Sequence, residues 1–232
     1  MKRTPSLKKI TQRLGVSRYS AVHLLAALIV LFAATPFIEE SRHGELVEAV
    51  LLTLVLVSAE LSVGGRHKVL GFALLLTTVV AKWSHHLFPQ AVSPSVHLGL
   101  GMVFTAFVVT SILRFILRAP RVNTEVLSAS VAVYFMIGLL WSFAYVLVAR
   151  NAPQAFSIHT DPHDPLGMTS FNALYFSFTT LSTVGFGDIT PISKGARTLA
   201  FMEAITGMFY VAILISRLVS MYAPAAKSET PP

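Results

Sequence analysis

Thr183-Val184-Gly185-Phe186-Gly187-Asp188 is a glycine-punctuated stretch set between two apolar segments, residues 169–182 before it and 196–222 after it. Turning successive backbone carbonyls to one side takes some residues out of ordinary strand geometry, and glycine makes that turn without a Cβ clash. Gly185 and Gly187, alternating with Val184 and Phe186, meet that requirement. A row of such carbonyls gives a dehydrated cation oxygens in place of its lost water, with no fixed charge to trap it. The hydroxyl of Thr183 can add one more ring of oxygens at the inner end. Asp188 can hydrogen-bond back toward the preceding helix and hold the strand taut.

The stretch resembles the selectivity-filter signature of potassium channels, whose usual form is T-V-G-Y-G-D. Phe186 stands where tyrosine is commoner, which removes a hydroxyl able to brace the filter against its neighbours. The resemblance covers residues 126–222, where an outer helix (126–148), a pore helix (169–182), the filter (183–188) and an inner helix (196–222) follow in order. It implies an all-α membrane protein with six transmembrane helices plus a re-entrant pore helix and filter loop, assembled as a four-fold homotetramer. It also implies K+ as the permeant ion, held by oxygens of Thr183, Val184, Gly185 and Phe186 with Gly187 completing the filter, and no cofactor. Independently, one strand per chain cannot enclose an ion, so the strand must be repeated about an axis.

Composition agrees with a membrane. The chain has 232 residues, 54% hydrophobic and only 12% charged, too apolar for a soluble domain of this size. With no cysteine, a disulfide framework, a cysteine metal cluster and a thiol nucleophile are excluded. The net charge of +7 sits at the ends of apolar spans with no groove-reading motif, so no nucleic-acid partner is expected.

Residues 1–20 form a basic segment with Lys2, Arg3, Lys8, Lys9, Arg13 and Arg18 and no acid. Leu7, Ile10 and Leu14 would share one face of a helix there, as in a helix lying on anionic lipid; a disordered basic leader fits the same residues. A four-helix transmembrane domain is expected over 21–118, with apolar runs at 21–38, 46–63, 69–88 and 96–117, each near the ~20 residues that span a bilayer core. A pore domain follows at 119–222 and a short tail at 223–232. The connection after the first run is acidic, the next carries Arg66 and Lys68, and Arg114, Arg118 and Arg121 gather before the fifth span. The positive-inside rule then places both termini in the cytoplasm, and an integral multi-pass protein of the plasma (inner) membrane is expected. The segment 169–182 is too short to cross, because ~13 residues at ~1.5 Å each reach only ~20 Å of a ~30 Å core. It should enter and return, capped by Thr169 or Ser170.

Further residues call for roles. Glu203 lies inside an apolar span, where an acid is expensive; it is expected to support the filter from behind, accepting hydrogen bonds from pore-helix groups such as Thr179 or Tyr175. Gly207, nineteen residues after Asp188, is where the resembled channels commonly carry a gating hinge, and a small residue for close helix packing is a compatible reading. Met208, Val211, Ile215 and Val219 recur at helical spacing and would line a hydrophobic cavity. The pattern L-x-x-x-E-A-x-x-G-x-x-Y from Leu199 to Tyr210 also looks like that of small bacterial channels. A voltage sensor needs arginines at every third residue of its fourth span, whereas 96–117 carries only Arg114, so weak or absent voltage dependence is expected. His85-His86 and the stretch 159–164 (His-Thr-Asp-Pro-His-Asp) contain ligand types for protons or zinc, although interfacial and solvated roles fit them too. A secondary transporter should show two related halves, and an enzyme needs a nucleophile or paired acids, for which Glu48, Glu60 and Glu203 are too scattered. A poorly selective monovalent cation channel of the same architecture is the alternative within the channel class.

Overall fold

The computed structural model describes residues 20–39, 41, 43–62, 68–87, 93–158 and 167–222. The basic leader, the 159–164 stretch, the tail 223–232 and the side chains of His85 and His86 lie outside what is described. Seven helices run through the described residues: α1 (Ser20–Glu39), α2 (Gly44–Ser62), α3 (Lys68–Leu87), α4 (Pro94–Arg118), α5 (Thr124–Asn151), α6 (Ser170–Leu181) and α7 (Lys194–Tyr222). Four segments are long and apolar enough to cross a membrane: Ala21–Ile38, Ser95–Arg118, Thr124–Asn151 and Lys194–Ser220. The protein is therefore an α-helical membrane protein. α2 is also helical but carries Glu45, Glu48 and Glu60, and the apolar part of α3 is the shorter Val69–Ser84.

Local chemistry sets the helix ends. α4 opens on Pro94 in its first turn and stops at Ala119, which is extended (φ −64°, ψ 129°) because it precedes Pro120. α5 starts where the Asn123 side chain accepts from the Val126 amide at 2.9 Å, and α6 starts where the Thr169 hydroxyl accepts from the Asn172 amide at 3.1 Å; both are N-caps. Of the two caps the sequence offered for α6, Thr169 is the one used.

Where lipid gives helices little hydrophobic incentive to associate, close packing through small residues does the work. α5 buries Ala129, Ser130, Ala132, Gly138 and Ala144 along its length. α1 packs on α5 and α6 of the same chain. Phe32 of α1 sets its ring edge-on to Phe178 of α6 and Phe135 of α5, at centroid separations of 5.1 and 5.4 Å. At one end of the molecule the Glu125 carboxylate accepts from the Ala21 amide at 3.1 Å, placing an anion at the start of α1. Near the same end Arg217 of α7 donates through Nη2 to the carbonyls of Leu117 and Ala119, at 3.2 and 3.1 Å. These carbonyls close α4, where a cation is favoured. Arg114, Arg118 and Arg121 are all exposed.

Two short strands were not anticipated from the sequence. β1 (Phe156–Ile158) and β2 (Ile189–Pro191) pair antiparallel, with Phe156 opposite Pro191 and Ile158 opposite Ile189. Three residues each are too few to show a period-2 pattern, and the pairing joins segments more than thirty residues apart. Against this ladder sits a separate core of Tyr145, Phe156, Phe176 and Ile189. Its rings meet edge to face, Tyr145 on Phe176 at 4.8 Å and Phe156 on Phe176 at 5.6 Å, arrangements worth about 0.5–1.5 kcal/mol each beyond area burial.

α7 meets α6 through Gly207. A Cβ built there would lie 2.0 Å from the Leu181 carbonyl oxygen, which is backbone and cannot swing aside. Gly207→Ala should therefore push α7 off the end of α6, costing about 1–3 kcal/mol as overpacking does. A lowered thermal unfolding midpoint of the detergent-solubilised protein is the expected result, and an unchanged midpoint would refute this close approach.

Candidate functional site

α6 is 12 residues long, about 18 Å at ~1.5 Å per residue, and it delivers the chain into 183–188. The Ser182 amide still bonds the Phe178 carbonyl at 3.0 Å, and the Thr183 amide turns to Thr180 O at 2.9 Å. The next two amides, of Val184 and Gly185, both point at Thr179 O, at 2.9 and 3.0 Å. In a trans peptide the carbonyl is directed opposite to the N–H. The carbonyls of Thr183 and Val184 consequently share one direction, away from α6.

The backbone keeps that arrangement by alternating its sign. φ is +60° at Thr183, +52° at Gly185 and +84° at Gly187, so every second residue is in the left-handed region. Two of the three are glycines, which occupy it without steric cost. Thr183 is β-branched and pays strain there; the two consecutive amides bound to α6 carbonyls on either side of it hold it in place. Residues 183–187 are all exposed on the single chain, Val184 at 55% and Phe186 at 71%. Oxygens aligned on one side of a strand can stand in for water around a cation, and one chain supplies one side of such a cage.

Asp188 closes the stretch. Its carboxylate accepts from Tyr175 OH at 2.6 Å and from the Ile189 amide at 3.0 Å. Tyr175 in turn lies parallel to Phe186, with centroids 6.4 Å apart and 7° between planes. Beyond Asp188, the Ile192 amide bonds Ala155 O at 2.7 Å, so the exit is tied to the segment leading into β1. The hydrogen bond from Tyr175 holds the Asp188 carboxyl below the usual carboxylate range, partial burial opposing it.

Glu203 is wholly buried behind α6, but its partners are not the ones expected. Ser177 Oγ lies 2.5 Å from one carboxyl oxygen and 2.8 Å from Gly138 O, while Tyr145 OH bonds the other oxygen. The hydroxyl of Thr179 turns instead to Phe176 O at 3.1 Å, and Tyr175 is engaged by Asp188. On α6, Ser177 Oγ turns toward α5 and α7, whereas the Tyr175 ring lies on Phe186 and the Thr179 carbonyl takes the Val184 and Gly185 amides. An acid in an apolar span signalled that donors must surround it; several hydroxyls were in reach along the chain, and only the rotation of α6 selects Ser177 and Tyr145. Met208, Val211, Ile215 and Val219 are exposed on the single chain. Gly207 is buried against Leu181.

A family profile described as "Ion channel" matches residues 140–223. The chain is similar to "Potassium channel protein kcv" of Paramecium bursaria Chlorella virus 1, with 35% identity over 81 residues, 34% of this chain and 86% of that protein. It is 32% identical over 101 residues to "Protein LctB" of Bacillus caldotenax, covering 43% of this chain and 74% of the relative. It is also 37% identical over 68 residues to "Two pore potassium channel c" of Oryza sativa subsp. japonica, where the match takes in 29% of this chain and only 14% of the relative. No solved structure matches the chain.

Glu203→Leu should leave the Tyr145 hydroxyl without its acceptor, while Ser177 keeps the Gly138 carbonyl, and is expected to cost about 1–3 kcal/mol. A double-mutant cycle of Tyr145→Phe with Glu203→Gln should show coupling on the order of 0.5–3 kcal/mol in thermal unfolding. Additive effects would dismiss the cluster as a unit. For Asp188, a lowered folded pKa means a stabilising contact fully present above the unfolded value and lost only as pH falls through the folded one, below pH ~4. Ion flux through reconstituted protein should thus not change through Asp188 as outer pH drops from ~7.5 to ~5, whereas Asp188→Asn should impair it across that whole range. A flux transition near pH 6 that Asp188→Asn abolishes would contradict the assignment.

Proposed function

The chain belongs to the potassium channel family, and we propose that it forms a passive, potassium-selective pore from four copies of itself. The observation that carries this reading is the common direction of the Thr183 and Val184 carbonyls, imposed by two amides on Thr179 O and continued by the alternating φ at 183, 185 and 187. Four such strands about an axis would surround K+ with oxygens from Thr183, Val184, Gly185 and Phe186, with Gly187 at the outer end. Asp188, Thr179 through its carbonyl, and Glu203 hold the filter from behind. The permeant ion is the only small partner this reading needs, and its work is transport rather than catalysis.

Exposure on the single chain supports the assembly. Of the spanning window of α7 only 17% is buried, against 50% for α5, and the exposed part includes Met208, Val211, Ile215 and Val219. In the tetramer these four would line a hydrophobic inner cavity, with Gly207 above them as the pivot about which the lower half of α7 moves. α1 to α5 and α7 would make six crossings, α6 re-entering between the last two, with both termini cytoplasmic in a plasma (inner) membrane. The exposed Arg114, Arg118 and Arg121 near the end of α4 serve as topology anchors, so opening should depend weakly on voltage.

The decisive measurement is the reversal potential of reconstituted protein under asymmetric K+ and Na+. Reversal near the potassium equilibrium potential is expected. Reversal near zero with measurable current would replace this reading with a poorly selective monovalent cation channel, and steep voltage-dependent opening would overturn the anchor role of the arginines.

A further inference from the structure

Helices α1 to α6 all contribute to a cavity of about 390 Å³ at the end of the molecule where α6 begins, within the range of small-molecule sites. Its mouth is charged. Glu48 lies 3.6 Å from Lys82 Nζ and accepts from Ser170 Oγ at 3.3 Å, so one carboxylate joins the four-helix domain to the first residue of the pore helix. Glu45 and Arg150 stand at the same mouth and make no ion pair or hydrogen bond among the described residues, which leaves one carboxylate and one guanidinium uncommitted.

Three hydroxyls of the lining accept hydrogen bonds. Thr35, Thr78 and Ser142 line the cavity, and each donates its hydroxyl hydrogen to a carbonyl of its own helix, at 2.7, 2.8 and 2.8 Å. What they have left to offer is lone pairs. The apolar part of the lining includes Leu31, Leu52, Leu56, Leu98, Leu139 and Leu174. A ligand matched to all three features carries N–H donors, an anionic group and a hydrocarbon chain.

We propose that this cavity is a binding site for a zwitterionic amphiphile with a primary ammonium group. The ammonium goes to Glu45 and the hydroxyl lone pairs, the anionic group to Arg150, and the hydrocarbon to the leucine side chains of the lining. A primary ammonium has three hydrogens to give and a trimethylammonium has none, so the acceptor hydroxyls discriminate between them. Two sources have this chemistry, a free apolar α-amino acid and the head of phosphatidylethanolamine. Occupancy would reach the pore through Ser170, the first residue of α6, but binding itself does not require that the chain conduct.

The test uses the full-length protein in phosphatidylcholine nanodiscs, with thermal unfolding as the readout. One arm titrates leucine, and the other replaces part of the phosphatidylcholine by phosphatidylethanolamine. A raised midpoint in the leucine arm identifies a soluble ligand and one in the lipid arm a bound lipid; either supports the site. Arg150→Gln and Glu45→Gln should each weaken the apparent affinity about tenfold, on the order of 1.4 kcal/mol, while Arg150→Lys retains most of it. Both positions are exposed, so these substitutions leave the helix packing in place. An unmoved midpoint in both arms overturns the proposal and leaves the cavity to water. So does a shift that survives both charge removals, or one that N-trimethylated leucine reproduces. None of these outcomes depends on ion flux, so a protein that binds the amphiphile without conducting K+ would separate this inference from the channel reading.

Discussion

Two amides on one carbonyl set the geometry of the site. Thr179 O receives the N–H groups of Val184 and Gly185, and because each peptide is a rigid plane, that single acceptor directs two successive carbonyls the same way. The helix that presents Thr179 ends in unsatisfied carbonyls, as every helix does, and here the following strand satisfies them. The non-helical backbone of 183–188 is backed by protein, and α5, α6 and α7 supply that backing.

The backing has two layers. Toward α5 and α7, the buried Glu203 gathers Ser177 and Tyr145, and Gly207 lets α7 come against Leu181 with no side chain between. At the far end of the stretch, Tyr175 holds Asp188 and the β1–β2 ladder holds the residues after it. The 183–188 stretch is thus fixed at its helical end, behind its middle and at its exit, while residues 183–187 are exposed on the single chain. This combination of a restrained back and an open front is what a ring of identical strands would need.

The first four helices bear directly on the last three. Phe32 packs on Phe178 of α6, Arg217 reaches from α7 to the last carbonyls of α4, and Glu48 touches both Lys82 and Ser170. The five-residue connection from Ala119 to Asn123 between α4 and α5 keeps the two parts of one chain adjacent. Displacement of α1 to α4 would therefore be felt at both ends of α6 and at the C-terminal end of α7.

Much of the helical layout was legible in the residues because membrane helices are written in long apolar runs, and Thr183 to Asp188 because alternating glycines are a local signal. The capping threonine, the end of α4 before Pro120 and the need of Glu203 for donors are likewise local matters of chemistry. The identity of those donors was not legible, since Thr179, Tyr175, Ser177 and Tyr145 all carry hydroxyls and only the rotation of α6 against α5 and α7 selects two of them. The same holds for the β1–β2 ladder, the packing of Phe32 on the pore helix and the mixed-charge cavity, each of which joins residues far apart in sequence. Periodicity and glycine placement determined which segments are helical and where the carbonyl-lined turn falls, because those depend on a few neighbouring residues. Tertiary structure alone decided which side chains meet, because that depends on how each helix is rotated about its axis, and packing sets that rotation.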